Sequence, residues 1–326
     1  MSERDALGLR RHYVRARDGA QAGSLWALCE TGARLDPAGV RAAWGQGPES
    51  GLTCVAGVAL QPRAPWPAAA AGLGLKEALH GALERILASG ARPVLALSGG
   101  VDSALVLALA REAGRPFDGL VTLESELPGY DEAEEAESVA RALGYTVERV
   151  RVATGQYADA LPEAIAATEA PLYNLHPVTR LLLSRILAAR GFSTLVTGDA
   201  ADQVFAGTSP HLYLPLVAAL SARGGMALAS PFFDTAVLGV AAARPADPQK
   251  GLLRALALEL GVPRAVVERA KRPRLTPPVS LSAHRDAAAL ARVASAVGLT
   301  ASEASDAEHV GWTTLVLFAK QLEARS

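Results

Sequence analysis

Residues 93–103 read Pro-Val-Leu-Ala-Leu-Ser-Gly-Gly-Val-Asp-Ser, and residues 104–114 continue Ala-Leu-Val-Leu-Ala-Leu-Ala-Arg-Glu-Ala-Gly. A short apolar run that stops at a Gly-Gly turn has the pattern of a buried strand, here 93–97. The Ala/Leu-rich stretch after the turn, 104–114, is composed as a helix. Working outward, Leu75, Ala78, Leu79, Leu83 and Ile86 recur at helical spacing and predict a helix that ends at Gly90. Downstream, 118–123 reads as a second strand. A second helix follows, with Asp131 as its expected N-cap and Glu134 three residues on, as in a capping box. Residues 146–152 alternate and predict a third strand; 177–191 predict a helix and 193–197 a fourth strand. Strand–helix alternation of this kind predicts an α/β fold, a doubly wound, Rossmann-like parallel sheet. Ligands of such sheets bind at the carboxyl ends of the strands, so the loops after Leu97, Leu123, Val152 and Thr197 are where chemistry is expected.

The margins have a different texture. Residues 1–72 are mixed, and the Pro/Ala stretch 62–72 reads as a linker. They form a small N-terminal module, expected to contain strands at 23–30 and 52–60. The second domain is expected to span 73–326 and to be helical from about residue 209, with Pro-rich interruptions. Lys and Arg total 32 against 33 Asp and Glu, and aromatics are 5%. A balanced charge with few stacking rings argues against a nucleic-acid partner. The longest apolar runs are broken by Arg, Glu or Gly, which argues against a membrane span. Residues 1–13 are charged and lack an apolar core, so a cytoplasmic location is expected. The two cysteines, Cys29 and Cys54, make no disulfide framework, and Cys54 lies in an apolar run as a structural thiol.

The loop Ser98-Gly99-Gly100-Val101-Asp102-Ser103 joins the first strand to its helix. Its glycines allow a tight turn with amides close to a ligand, and the helix start offers unpaired N–H groups to an anion. Asp102 beside a phosphate requires a bridging cation such as Mg²⁺. The loop lacks the lysine of a Walker sequence and is not G-x-G-x-x-G.

This string resembles the pyrophosphate loop of the ATP pyrophosphatases that adenylate a substrate. Their members include asparagine, β-lactam, GMP, NAD and argininosuccinate synthetases and the tRNA thiolation and lysidine enzymes. Three further segments resemble the synthetase domain of asparagine and β-lactam synthetases. They are 128–144, the run Leu195-Val-Thr-Gly-Asp-Ala-Ala-Asp-Gln-Val-Phe-Ala-Gly207, and Ser230-Pro-Phe-Phe-Asp234 with Lys250-Gly-Leu-Leu-Arg254, Val262-Pro263, Arg269 and Lys271. The resemblance covers about residues 75–280 and implies an adenine nucleotide alpha-hydrolase-like fold. The chain departs from the family at Asp199 and Gln203, where Glu is usual, and at Ala229 and Ser230, where an arginine is usual. Most members begin with a glutaminase domain and a catalytic Cys. Here residue 2 is Ser2 and about 72 residues precede the synthetase pattern, so intrinsic glutaminase activity is not expected.

The resemblance implies roles. Ser98, Gly99, Gly100, Asp102 and Ser103 would hold the pyrophosphate of ATP, with Asp102 and Asp202 as Mg²⁺ ligands. Leu97, Leu123 and Gly198, at strand ends, would read adenine and ribose. Lys250 would neutralise the phosphoryl and acyl transition states, and Lys271 would reach the pyrophosphate. Glu169 matches the family glutamate that orients or deprotonates an attacking amine, with Tyr173 as a supporting residue. Plainer readings stand beside these: Asp202 as a helix N-cap, Lys250 and Lys271 as solvated lysines, and Tyr173 as core. His176 and His211 show no metal-ligand spacing. The activity implied is an ATP-dependent amide-forming synthetase that adenylates a carboxylate, after which an amine or ammonia displaces AMP. Its substrate would be a small carboxylate or a peptide. Its partners would be a separate glutaminase, an amine donor or a biosynthetic protein. The alternatives are intramolecular closure, as in β-lactam formation, and a catalytically degenerate nucleotide-binding protein that serves a partner synthetase.

Overall fold

A computed structural model of the chain describes residues 5–43, 52–68, 72–89, 92–127, 129–208, 213–270, 278–301 and 306–325. The chain forms two compact units, each assembled from separated segments: 1–64, 154–181 and 278–326 in the first, 65–153 and 182–277 in the second. This differs from a boundary at residue 72, because the N-terminal module shares its unit with a central and a C-terminal segment.

In the first unit, β1 (Tyr13–Arg15) lies between β2 (Gln21–Ala22) and β3 (Val58–Leu60) in an antiparallel sheet. The short helix α1 (Pro37–Arg41) starts at Asp36, whose side chain accepts from the Ala38 amide. The central segment supplies α5 (Gly155–Thr168), and the C-terminal segment supplies α12 (Ala287–Val297) and α13 (Asp306–Glu323). Pro162 sits inside α5, where it cannot donate to the Ala158 carbonyl. His284 replaces that donor, with its Nε2 2.8 Å from Ala158 O. The last carbonyls of α5 are capped by the N-terminal segment: Trp26 Nε1 donates to Ala166 O at 2.8 Å, and Arg11 donates to Ala167 O at 2.6 Å and to Thr168 O. The Trp26 ring packs on Phe318, with centroids 5.2 Å apart, and lies under the Arg325 guanidinium at 4.4 Å. These contacts explain why the stretch 23–30 is not a strand. It turns as a 3₁₀ segment, Trp26–Leu28, which buries Leu25 and Leu28.

In the second unit, β4 (Pro93–Ala96), β5 (Gly119–Ser125), β6 (Glu148–Val152), β7 (Thr194–Val196) and β8 (Ala227–Ala229) form one parallel sheet in the order β6-β5-β4-β7-β8. The register puts Leu95 opposite Leu120 on one side and Val196 on the other. The helices preceding and linking these strands are α2 (Leu75–Leu87), α3 (Val101–Glu112), α4 (Ala133–Ala142), α6 (His176–Ala189), α7 (Ala201–Phe205) and α8 (Leu214–Arg223). The chain steps outward from β4 to β5 and β6, then continues on the other side of β4 with β7 and β8. With right-handed crossovers, that reversal puts the linking helices on both faces, the doubly wound arrangement. A core of Val94, Val121, Val150, Leu195 and Met226 with Leu183 and Leu187 of α6 fills one face. After β8 come α9 (Thr235–Ala242), α10 (Gly251–Glu259) and α11 (Arg264–Val267). Among the described residues no helix is long and apolar enough to cross a membrane.

Two local expectations change. The N-cap of α4 is Glu132, not Asp131. Asp131 lies one residue earlier and accepts from the Ser125 and Ala133 amides at 2.7 and 2.9 Å, tying the end of β5 to the helix start. Strand β5 also runs to Ser125, so Leu123 is inside it, paired with Val150, rather than at its end.

Candidate functional site

The strand order reverses between β4 and its neighbours β5 and β7, and the loop 97–100 leaves the sheet at that point. It feeds directly into α3, a helix buried nearly all round from Ser103 to Ala110. No side chain caps its first turn, so its leading amides are aimed outward with the positive end of the dipole. Gly99 has φ 68°, and a Cβ there would stand 2.7 Å from Glu135 Cβ and 3.0 Å from the Ala136 amide. Glycine is required twice, for conformation and for space. The Ser103 hydroxyl is 3% exposed and braces the loop from inside. It accepts from the Ser98 amide at 3.1 Å, donates toward Gly100 O at 3.3 Å and lies 3.1 Å from Ser98 Oγ.

The end of β7 approaches the same turn. A Cβ on Gly198 would meet Ser103 N at 2.7 Å and Asp102 Cβ at 2.9 Å, so the two loops touch backbone to backbone. Leu97 continues the pairing of β4 through its amide to Val121 O at 2.8 Å. Asp199 is drawn inward: its carboxylate accepts from Thr197 Oγ1 at 2.8 Å, and its carbonyl accepts from Ser230 Oγ at 2.8 Å. Ser230 thus does something an arginine there would not: it fastens the β7 loop and caps the turn Pro231–Phe233. Ala200 follows with φ 76°, a left-handed conformation that costs a residue with a Cβ roughly 1–2 kcal/mol. It serves as the N-cap position of α7, which places Asp202 in the first helical turn rather than at the cap.

Lys250 is 6% exposed and lies between two carboxylates. Its Nζ is 2.7 and 2.6 Å from the two oxygens of Asp102 and 2.8 Å from Asp202 Oδ1. The structure therefore brings together two carboxylates and a lysine drawn from three distant parts of the sequence. The backbone of Lys250 is itself left-handed, with φ 52° and ψ 42°, at the start of α10. Asp247 holds that turn: its carboxylate accepts from Gly251 N at 2.7 Å and Gln249 N at 2.9 Å, and its carbonyl accepts from Lys250 N. The Gly251 amide first, then that of Gln249, keeps the Asp247 carboxyl below its usual range. Arg269 also reaches the loop, with Nη2 3.1 Å from Gly99 O. Asp247 carries no signature in the sequence and emerges only from its contacts, whereas Ser230 is legible as a departure from the family pattern and gains its fastening role from the structure.

Glu169 has its own set of partners. It belongs to the first unit, where it ends α5 in a left-handed conformation with φ 53°. Its carboxylate accepts from the Ser24 hydroxyl and from Leu25 N at 3.1 Å, and pairs with Arg11 at 3.3 Å. It is 8% exposed, so it is placed as an anchor for the N-terminal segment. The tyrosine beside it is Tyr13, whose hydroxyl is driven well above its usual pKa, chiefly by burial. Tyr173 is likewise pushed up by burial. Lys271 and His211 lie outside the described residues. Among the described residues no three His, Cys, Asp or Glu side chains are grouped to hold a metal ion. Asp102 and Asp202 are nevertheless two hard oxygen donors that already flank a cation. Mg²⁺ is held by one or two carboxylates together with phosphate oxygens, so the pair fits it.

Comparison with known proteins bears on the same region. Residues 74–222 match the family model described as asparagine synthase. The amidase chyE of Penicillium rubens is 26% identical over 148 residues, which is 41% of this chain and 22% of that protein. The chain thus spans less than a quarter of that relative's length. Among solved structures, an NMN synthetase from Francisella tularensis superposes with a TM-score of 0.40 at 16% identity, over 78% of this chain and 96% of that one. An NH3-dependent NAD synthetase from Campylobacter jejuni gives 0.38 at 17% identity, over 60% and 75%. The stretch that matches the asparagine synthase model, residues 74–222, contains the loop before α3 and four of the five strands of the parallel sheet, β4 to β7.

Proposed function

We propose that the chain is an ATP-dependent, amide-forming synthetase that activates a small carboxylate or a peptide carboxylate as its acyl-adenylate. The carboxylate attacks the α-phosphorus, pyrophosphate leaves, and an amine or ammonia then displaces AMP. The observation that carries this reading is Lys250 held between Asp102 and Asp202, directly beside the uncapped start of α3. The first-turn amides of α3 and the Gly99–Gly100 turn would bind the β- and γ-phosphates. Asp102 and Asp202 would hold Mg²⁺, which supplies charge neutralisation on the leaving pyrophosphate. Lys250 is a compact point charge, suited to the charge that grows on the α-phosphoryl oxygens and then at the acyl carbon. No covalent bond to the protein is needed. Catalysis on this reading is alignment of the two reactants plus electrostatic stabilisation.

The Glu169 carboxylate is engaged by Ser24, Leu25 and Arg11, so deprotonation of the amine by Glu169 would require its release from these partners, and solvent is the other acceptor for that proton. Incubation of the protein with ATP, Mg²⁺ and a panel of carboxylic acids tests the reading. AMP and pyrophosphate are the expected products; ADP and phosphate as the main products would refute it.

A further inference from the structure

We infer that Arg269 is a positioning residue that sets the polarity of the anion cradle: it holds the Gly99–Gly100 peptide so that the Gly100 N–H, and not the Gly99 carbonyl, faces the bound pyrophosphate. This rests on reading residues 98–103 as a pyrophosphate loop and extends that reading to a residue far away in sequence. The Arg269 Nη2 donates to Gly99 O at 3.1 Å and to Glu132 Oε1 at 3.0 Å. Its Nη1 lies 3.2 Å from Glu135 Oε1. A peptide is planar and trans, so its C=O and N–H point in opposite directions. Fixing the Gly99 carbonyl on Arg269 therefore turns the Gly100 N–H away from Arg269.

The peptide needs such a fastening because it joins two glycines. With no Cβ on either side, the inverted orientation is sterically open, and it would present a carbonyl oxygen to a polyanion. The helix α4 supplies the wall: Gly99 is pressed so closely on its first turn that a Cβ would stand 2.7 Å from Glu135 Cβ. Glu132 and Glu135 of that turn grip the guanidinium, which then spans from the helix to the loop carbonyl. The charge of Arg269 already faces two carboxylates, so its contribution to anion binding passes through the peptide rather than through direct attraction. A lysine has one donor centre and cannot reach three acceptors in the fixed planar spread of a guanidinium.

The test is calorimetric titration of the full chain with inorganic pyrophosphate plus Mg²⁺, and separately with adenosine, for the wild type, Arg269→Met and Arg269→Lys. A hydrogen bond to a charged group is lost in both variants, so pyrophosphate affinity falls about 10- to 100-fold. Adenosine affinity and thermal midpoint stay close to wild type. If Arg269→Lys binds pyrophosphate as well as the wild type does, charge alone suffices and the inference is overturned. If pyrophosphate and adenosine affinity fall together, Arg269 is merely structural and the inference is again overturned. If the wild type binds neither ligand, the nucleotide reading fails and takes this one with it. Should Arg269→Met not fold, ¹⁵N-glycine labelling of the wild type decides. The Gly100 amide resonance shifts on addition of pyrophosphate, and an unmoved resonance at saturation overturns the proposal.

Discussion

Replacing Lys250 with Met removes the ammonium and keeps the apolar stem. Asp102 and Asp202 are then left facing one another, each with an oxygen within 2.8 Å of the vacated position. Two like charges at about 5 Å repel by about 3 kcal/mol at an effective dielectric of about 20. Breaking a buried pair by removing one partner typically costs about 3–5 kcal/mol. Both aspartate side chains retain 23% exposure, which lets water in and favours the lower end. We therefore expect Lys250→Met to lose about 3 kcal/mol, concentrated where α3 and α10 start. Native-state hydrogen exchange of those amides, alongside urea denaturation, measures it. The same reasoning makes a second demand. A divalent cation restores the charge that was removed, so millimolar Mg²⁺ stabilises the variant more than the wild type, in which the ammonium competes for the same oxygens. With ATP and an accepted acid, turnover falls roughly 10²–10³-fold, the usual cost of one transition-state donor. A variant as stable as the wild type, or an equal response of both to Mg²⁺, would refute the argument.

Gly198→Ala drives a Cβ to 2.7 Å from the Ser103 amide, a backbone neighbour that cannot step aside. We expect a loss of about 1–3 kcal/mol and collapse of ATP binding; unchanged binding by calorimetry contradicts the loop contact. Glu169→Gln keeps an acceptor for Ser24 and Leu25 but leaves the Arg11 charge without its counter-ion. A loss of about 3 kcal/mol in urea denaturation is expected. Hydrogen exchange at the end of α5 should rise with it, and a neutral result would show that Glu169 is not an anchor. Tyr13 titrates above its usual value, first because it is buried, so its neutral phenol supports the fold fully below about pH 10. That support is lost as the pH rises through the folded pKa. Tyr13→Phe should flatten the alkaline limb of a stability–pH curve, and an unchanged limb would place the alkaline loss elsewhere.

The strand β4, the turn at Ser98 and the helix α3 were legible because each signal is local: an apolar run, two glycines, an Ala/Leu helix. Lys250 was legible as a residue type in a motif. Its seat between Asp102 and Asp202 was not, because the partners lie far from it in the chain and no spacing rule links them. The helix α5 is not legible in the sequence because Pro162 stands in its middle, and the missing donor is supplied by the distant His284. The strand β8 has three residues, Ala227–Ala229, too few to show a period. In the stretch 23–30 the apolar pattern suggested a strand, but the demands of Trp26 decide the backbone. Its indole must reach the Ala166 carbonyl and stack on Phe318, and a 3₁₀ turn delivers it there. For Glu169 the motif supplies a residue type, whereas its contacts with Ser24, Leu25 and Arg11 are not legible there, because that segment has no counterpart in the pattern.

The patchwork composition of the first unit has a consequence for synthesis on the ribosome. Residues 1–64 emerge first, yet Phe318 and Arg325, which cover the Trp26 ring, belong to a segment that begins at Pro278. Roughly two hundred residues separate the two segments, so at about 5–20 residues per second the early strands wait roughly 10–40 s for their cover. Through that interval the Trp26 ring lacks this cover on the nascent chain. Slow codons or a stalled ribosome between the two segments would lengthen the exposure.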